Sequence, residues 1–183
     1  MKSMFKNNYR ILTCAILLIT FFQTNAQNLK EKALNRFGFK EYSILAENDT
    51  IYYYVHQKEN SKPNKVVIYL QGTTPIPEPF FEVKETENGN KYSQYFSSDY
   101  NLLDKEYIYV IISLPGTPAV KGYGTLDLEK YNSLNSLDYR IFAADTVINH
   151  IAEYLFEPKK IIVYGHSEGA FVAPKLATVN ERI

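Results

Sequence analysis

Gly165-His166-Ser167-Glu168-Gly169 is where this chain concentrates residues able to do covalent chemistry. The pentapeptide lies between an apolar run over 160–164, read as a strand, and a segment over 170–177, read as a helix. A serine on so tight a strand-to-helix turn needs small neighbours, because its backbone is strained and the flanking elements approach closely. Its Oγ then projects from the end of the sheet, and the helix N-terminus behind it favours developing negative charge. Ser167 is therefore read as a nucleophile, with Gly165 and Gly169 making its turn possible. Taken only as a turn, the same residues would be a serine capping a helix.

A serine nucleophile needs a base to take its proton and a carboxylate to hold that base in the right tautomer. The sixteen residues after Ser167 contain neither His nor Asp, and Glu181 has no His after it. Three histidines occur in the chain. His166 adjoins Ser167 on the turn, where neighbouring side chains diverge. His56 closes a strand and is expected in solvent, and His150 falls off the apolar stripe of its helix and is expected exposed. The triad is incomplete in these residues. No cluster of ligands suggests a metal, and no glycine-rich phosphate loop suggests an organic cofactor.

Other elements must hold this turn in place. Residues 41–46 and 51–57 are β-rich runs around Glu47-Asn48-Asp49-Thr50 and predict an antiparallel hairpin. The continuous apolar runs over 65–70, 107–113 and 160–164 predict buried strands. Gln71-Gly72-Thr73-Thr74-Pro75 breaks the first of these sharply. Phe80–Val83 and Lys91–Phe96 flank Glu87-Asn88-Gly89-Asn90 as a surface hairpin would, and 121–135 reads mostly as loop. Leu137, Ile141, Ala144, Ile148, Ile151 and Leu155 recur at steps of 4, 3, 4, 3 and 4, so they share one helix face, and Pro158 ends the helix. Pro174 should kink the helix after the serine. This order of elements predicts an α/β fold: a mostly parallel central sheet with helices on both faces and a leading antiparallel hairpin.

With Ser167 on such a turn after the fifth strand, residues 41–183 resemble the N-terminal part of the α/β-hydrolase fold superfamily. The resemblance implies that the loop after the third strand, Gln71-Gly72-Thr73-Thr74, supplies an oxyanion-hole amide. On that basis the backbone N–H groups of Thr73 and Glu168 would face the oxyanion, supported by Gln71 and Gly72. The superfamily often has His-Gly where this chain has Gln71-Gly72. The resemblance also implies the order Ser, then acid, then His, and further strands beyond the fifth. Residues 27–183 are thus expected to be the first portion of a longer hydrolase domain, or a truncated product of one, since the strand at 161–164 would otherwise leave an unprotected sheet edge.

Composition bounds what else the chain can be. It has 183 residues, 45% hydrophobic and 22% charged, which suits one folded domain. Twenty Lys and Arg balance twenty Asp and Glu, which removes the electrostatic case for nucleic acid. Lys2, Lys6 and Arg10 precede a mainly apolar run from Ile11 to Phe22, and Thr24-Asn25-Ala26 offers a cleavage site before Gln27. That is the layout of a secretory signal peptide over 1–26. Twelve residues span ~18 Å as a helix, short of the ~30 Å a bilayer core requires. Cleavage would remove the one Cys and both Met, leaving no thiol nucleophile and no membrane segment.

The expectation is an exported serine hydrolase that cleaves an ester or amide through an acyl-enzyme on Ser167, with a small-molecule ester or a peptide as substrate, no cofactor, and a peptidase of the same fold as the rival enzyme reading. A tyrosine-rich region over 80–131 could shape either kind of substrate pocket. The competing reading is a non-catalytic exported scaffold or binding domain that keeps the turn as architecture. Oligomeric state is not encoded in any feature of the sequence.

Overall fold

The computed structural model describes residues 29–46, 49–76, 79–95, 99–117, 119–121 and 126–183. The segment read as a signal peptide lies outside them. No helix among the described residues is long and apolar enough to cross a membrane.

A helix over residues 29–36 (α1), which the sequence reading did not anticipate, precedes β1 (Phe39–Ala46) and β2 (Asp49–Gln57). These two strands form the expected antiparallel hairpin, pairing Phe39 with His56 and Ala46 with Asp49. Two of the runs become the expected buried strands β3 (Lys65–Leu70) and β6 (Tyr107–Ile112), while the third forms β8 (Lys160–Gly165), in which only Ile161 is buried and Tyr164 is exposed because it lies at the end of a five-stranded sheet ordered β1-β2-β6-β3-β8. β3 pairs in parallel with both β6 and β8, while β2 alone runs the other way. Valine and isoleucine fill the central strands because both faces of a parallel sheet are covered. β8 pairs only with β3 among the described residues, so it is an edge there.

One face packs under α3 (Leu137–His150) and α4 (Gly169–Val179), with Val66, Ile68, Val110, Ala144, Ile148 and Val172 in the shared core. The helical periodicity predicted this: Ala144, Ile148 and Ile151 are buried, while Leu137 at the first turn stays partly exposed. The helix continues past His150 as a single π-helical turn over Ile151–Leu155 before Pro158. The opposite face is closed by α1 and by a second sheet of β4 (Phe80–Thr86), β5 (Gly89–Tyr95) and β7 (Val120–Lys121). The first two are the anticipated surface hairpin, and Phe81 anchors it, stacked on Phe37 at 5.2 Å.

Three local expectations need correction. The stretch read as loop over 121–135 contains α2 (Leu128–Leu134), started by the Asp127 side chain accepting the Lys130 N–H at 2.9 Å. His56 is not at a solvated strand end: it is buried against Phe39 and Tyr100, with ring centroids 5.3 and 4.4 Å away. His150 is half-buried rather than exposed, its Nδ1 hydrogen-bonded to the Tyr53 hydroxyl at 2.8 Å. α4 runs on through Pro174, and the Ala170 carbonyl that would have accepted from residue 174 belongs to an exposed residue.

Candidate active site

β3 and β8 end together, Leu70 beside Gly165, so the chain turns that follow them meet at one edge of the sheet. The His166 N–H extends the ladder by donating to the Leu70 carbonyl at 3.0 Å. The backbone then reverses within two residues. Ser167 has φ of +53°, a left-handed conformation that costs a residue with a Cβ roughly 1–2 kcal/mol. Hydrogen bonds from Gly169 N–H to the His166 carbonyl (2.9 Å) and from Ala170 N–H to the Ser167 carbonyl (3.0 Å) close the turn and begin α4.

The close approach that the pentapeptide implied is present. A Cβ on Gly165 would stand 2.2 Å from the Gly169 carbonyl oxygen, so the turn could not fold back over a larger residue. Ser167 is exposed at the tip, where a substrate can reach it, and Glu168 beside it is half-buried.

The loop after β3 lies against this turn. A Cβ on Gly72 would be 3.0 Å from the Ser167 Cβ and 3.4 Å from its Oγ. Gln71 is buried at the end of β3, while Gly72 is half-buried and Thr73 exposed. The Thr73 and Glu168 N–H groups have no hydrogen-bond partner among the described residues. The structure therefore brings Gly72 against Ser167 and the Gln71 carbonyl against Gly169, with Thr73 next along the same loop.

Two helical side chains hold that loop from behind. The Arg140 guanidinium donates from Nη1 to Glu168 Oε2 at 2.7 Å and from Nη2 to the Gln71 carbonyl. The Tyr131 hydroxyl donates to the Thr73 carbonyl and accepts from Asn135 Nδ2 at 2.8 Å. Burial pushes the Arg140 pKa down and the Glu168 carboxylate holds it up. Its ordinary value is so high that it stays cationic.

These helices are fixed in turn to the β1–β2 hairpin through Asp49, which is buried. Its carboxylate accepts from the Tyr139 hydroxyl at 2.6 Å and from its neighbour's Thr50 N–H at 2.7 Å, and it pairs with Lys130. Burial raises the Asp49 pKa, but Lys130, Tyr139 and Thr50 more than offset this, and it ends below the usual carboxylate value.

Arg140, Tyr131 and Asp49 were missed in the sequence. For Arg140 a signal existed: it falls three residues after Leu137 and four before Ala144, which puts a charge on the apolar face of α3. A charged residue on a buried face needs a partner, and here it has two.

The histidines do not assemble with Ser167. His56 lies on the sheet face that α1 covers, and His150 sits ten residues beyond Arg140, ~15 Å further along α3. His166 is exposed on the turn. Among the described residues no group of three or more potential ligands could hold a metal ion.

No protein-family model and no curated protein matches this sequence. Solved structures do match. One is a PEG-bound cold-adapted esterase from an Arctic intertidal metagenomic library, with a TM-score of 0.52 at 14% identity over 79% of this chain and 57% of that one. Another is a candidate acetyl xylan esterase from Bacteroides fragilis NCTC 9343, with a TM-score of 0.51 at 16% identity over 90% of this chain and 51% of that one. This likeness, with the strand order above, shows that the chain has the α/β-hydrolase fold. The chain spans little more than half the length of either structure.

Proposed function

We propose that this protein is an exported serine hydrolase that cleaves a small-molecule ester through an acyl-enzyme on Ser167. The observation that carries the reading is the left-handed Ser167, exposed on its turn with the Gly72 loop pressed against it. Ser167 Oγ attacks the ester carbonyl carbon, and the carbonyl oxygen, now anionic, receives the Thr73 and Glu168 N–H groups. The C–O bond to the alcohol then breaks, the alcohol leaves with a proton from the base, and water hydrolyses the acyl-serine. Preorganised amides of this kind are worth ~3–4 kcal/mol each in acyl-transfer enzymes. Esterases of the same fold are consistent with an ester substrate. The leader over 1–26 carries the protein out of the cytoplasm.

A non-catalytic scaffold is favoured by one observation, the distance of His56 and His150 from the turn. Labelling the full-length protein with a fluorophosphonate decides between the two. Modification of Ser167, located by peptide mass and lost in Ser167→Ala, is expected of the hydrolase. A folded full-length protein that takes no label would establish the scaffold instead.

A further inference from the structure

The two amides of an oxyanion hole have to sit at a fixed separation, yet here they belong to different loops. Thr73 follows β3 and Glu168 follows β8, and the pairing of those strands ends at Leu70 and Gly165. Beyond that point the loop passes through Gly72, the residue type with the most backbone freedom, and the close approach of Ser167 leaves a side chain there only a tight fit. Something other than the ladder has to set the loop against the turn.

Arg140 touches both. One arm of its guanidinium holds the Gln71 carbonyl, and the other holds the Glu168 carboxylate at 2.7 Å. Its side chain is 6% exposed, so the fork is packed rather than waving in solvent. In a trans peptide the C=O and the following N–H share one plane. Fixing the Gln71 carbonyl fixes the 71–72 peptide, and the Tyr131 hydroxyl on the Thr73 carbonyl fixes the 73–74 peptide. The peptide between these clamps is the one that carries the Thr73 N–H. Arg140 also answers an electrostatic problem. A carboxylate beside the nucleophile opposes the negative charge that forms on the substrate oxygen, and the paired guanidinium cancels it.

The geometry points to Arg140 as the positioning residue of the oxyanion hole, strapping the Thr73 loop to the Glu168 turn while neutralising the Glu168 charge. This rests on the serine-hydrolase reading above. The strap works only as a planar fork with two arms, so lysine cannot replace it: an ammonium reaches one partner or the other.

The test is the saturation kinetics of fluorophosphonate inactivation on the full-length protein, which separates the limiting rate, kinact, from the half-saturating concentration, KI. Arg140→Lys is expected to lower kinact about 10-fold and Arg140→Met about 50-fold, with KI within threefold, because only transition-state stabilisation is lost. Adding Glu168→Gln to Arg140→Met should recover part of the loss, since the uncovered charge is gone; a merely structural role for Arg140 predicts no recovery. If Arg140→Met does not fold, Arg140→Lys and Tyr131→Phe carry the test, the latter losing one clamp of the loop. A folded Arg140→Lys with wild-type kinact would overturn the strap and leave the hydrolase standing, as would a change confined to KI. A wild-type protein that is not labelled would remove the hydrolase reading and the strap with it.

Discussion

Gly169 and Leu70 meet backbone to backbone: a Cβ added to Gly169 would stand 2.0 Å from the Leu70 carbonyl oxygen. The obstacle is main chain in the middle of the fold, which no rotamer change can relieve. Overpacking of this kind costs about 1–3 kcal/mol, and a rigid carbonyl puts Gly169→Ala at the upper end. For a domain of this size that corresponds to a melting temperature about 5–10 °C lower. Differential scanning calorimetry of Gly169→Ala checks it, and an unchanged melting temperature would mean that α4 does not start against β3.

Ser167 predicts a separation of stability from activity. Its left-handed backbone is strained for any residue with a Cβ and unstrained for glycine. Ser167→Gly should therefore be about 1 kcal/mol more stable than Ser167→Ala, reversing the ordinary preference for alanine over glycine. Both lose the hydroxyl, so both should be inert to fluorophosphonate. Urea denaturation of the pair measures the difference, and alanine as the more stable of the two would argue against the left-handed turn.

Much of this was legible in the sequence because it rests on local pattern. The three apolar runs became β3, β6 and β8, and the 4, 3, 4, 3, 4 spacing became α3, because burial within a sheet or on one helix face leaves a trace in the pattern, though β8 turned out half-buried at the sheet end rather than covered on both faces. The glycines around Ser167 were legible because close approach leaves no alternative residue. What failed depended on partners distant in sequence. His56 reads as a polar strand end until Phe39 and Tyr100 close over it. α2 is short and carries little periodicity, and its hold comes from Asp49 and the Thr73 carbonyl, about 80 and 60 residues away. The clamp on the Gln71 loop was hidden for the same reason, apart from the charge that Arg140 places on an apolar face.

His56 gives the fold a pH dependence in the mildly acidic range. Burial first, and then the charge of Lys58, lower its pKa from the usual 6.5 to about 4. The unfolded chain binds the proton at higher pH than the folded one, so the unfolded state carries more protons between about pH 6.5 and pH 4. Stability from His56 is thus fully present above pH 6.5 and is lost as the pH falls through that window, at about 1 kcal/mol per unit where steepest. Asp49, also lowered, contributes its own loss only at still lower pH. Urea midpoints at pH 7.5, 6 and 5 should decline for the wild type and decline less for His56→Gln. Parallel curves for the two would mean that His56 is solvated when folded.

Export makes a prediction about the N-terminus of the mature protein. On the proposed export, the positive residues before Ile11, the apolar run to Phe22 and the small or polar residues at 24–26 put the expected cleavage after Ala26. α1 is in place by residue 29 and buries Ala33 and Leu34 against the second sheet face. Cutting after Ala26 leaves this helix intact, whereas cutting several residues later would remove its first turn and weaken that cover. Expressed with its leader in a bacterial host, the protein should appear outside the cytoplasm with Gln27 as its first residue. N-terminal sequencing or intact mass reads this directly. A product that stays in the cytoplasm with Met1 retained would refute export, and replacing Leu17 and Leu18 by Asp should block secretion by breaking the apolar run.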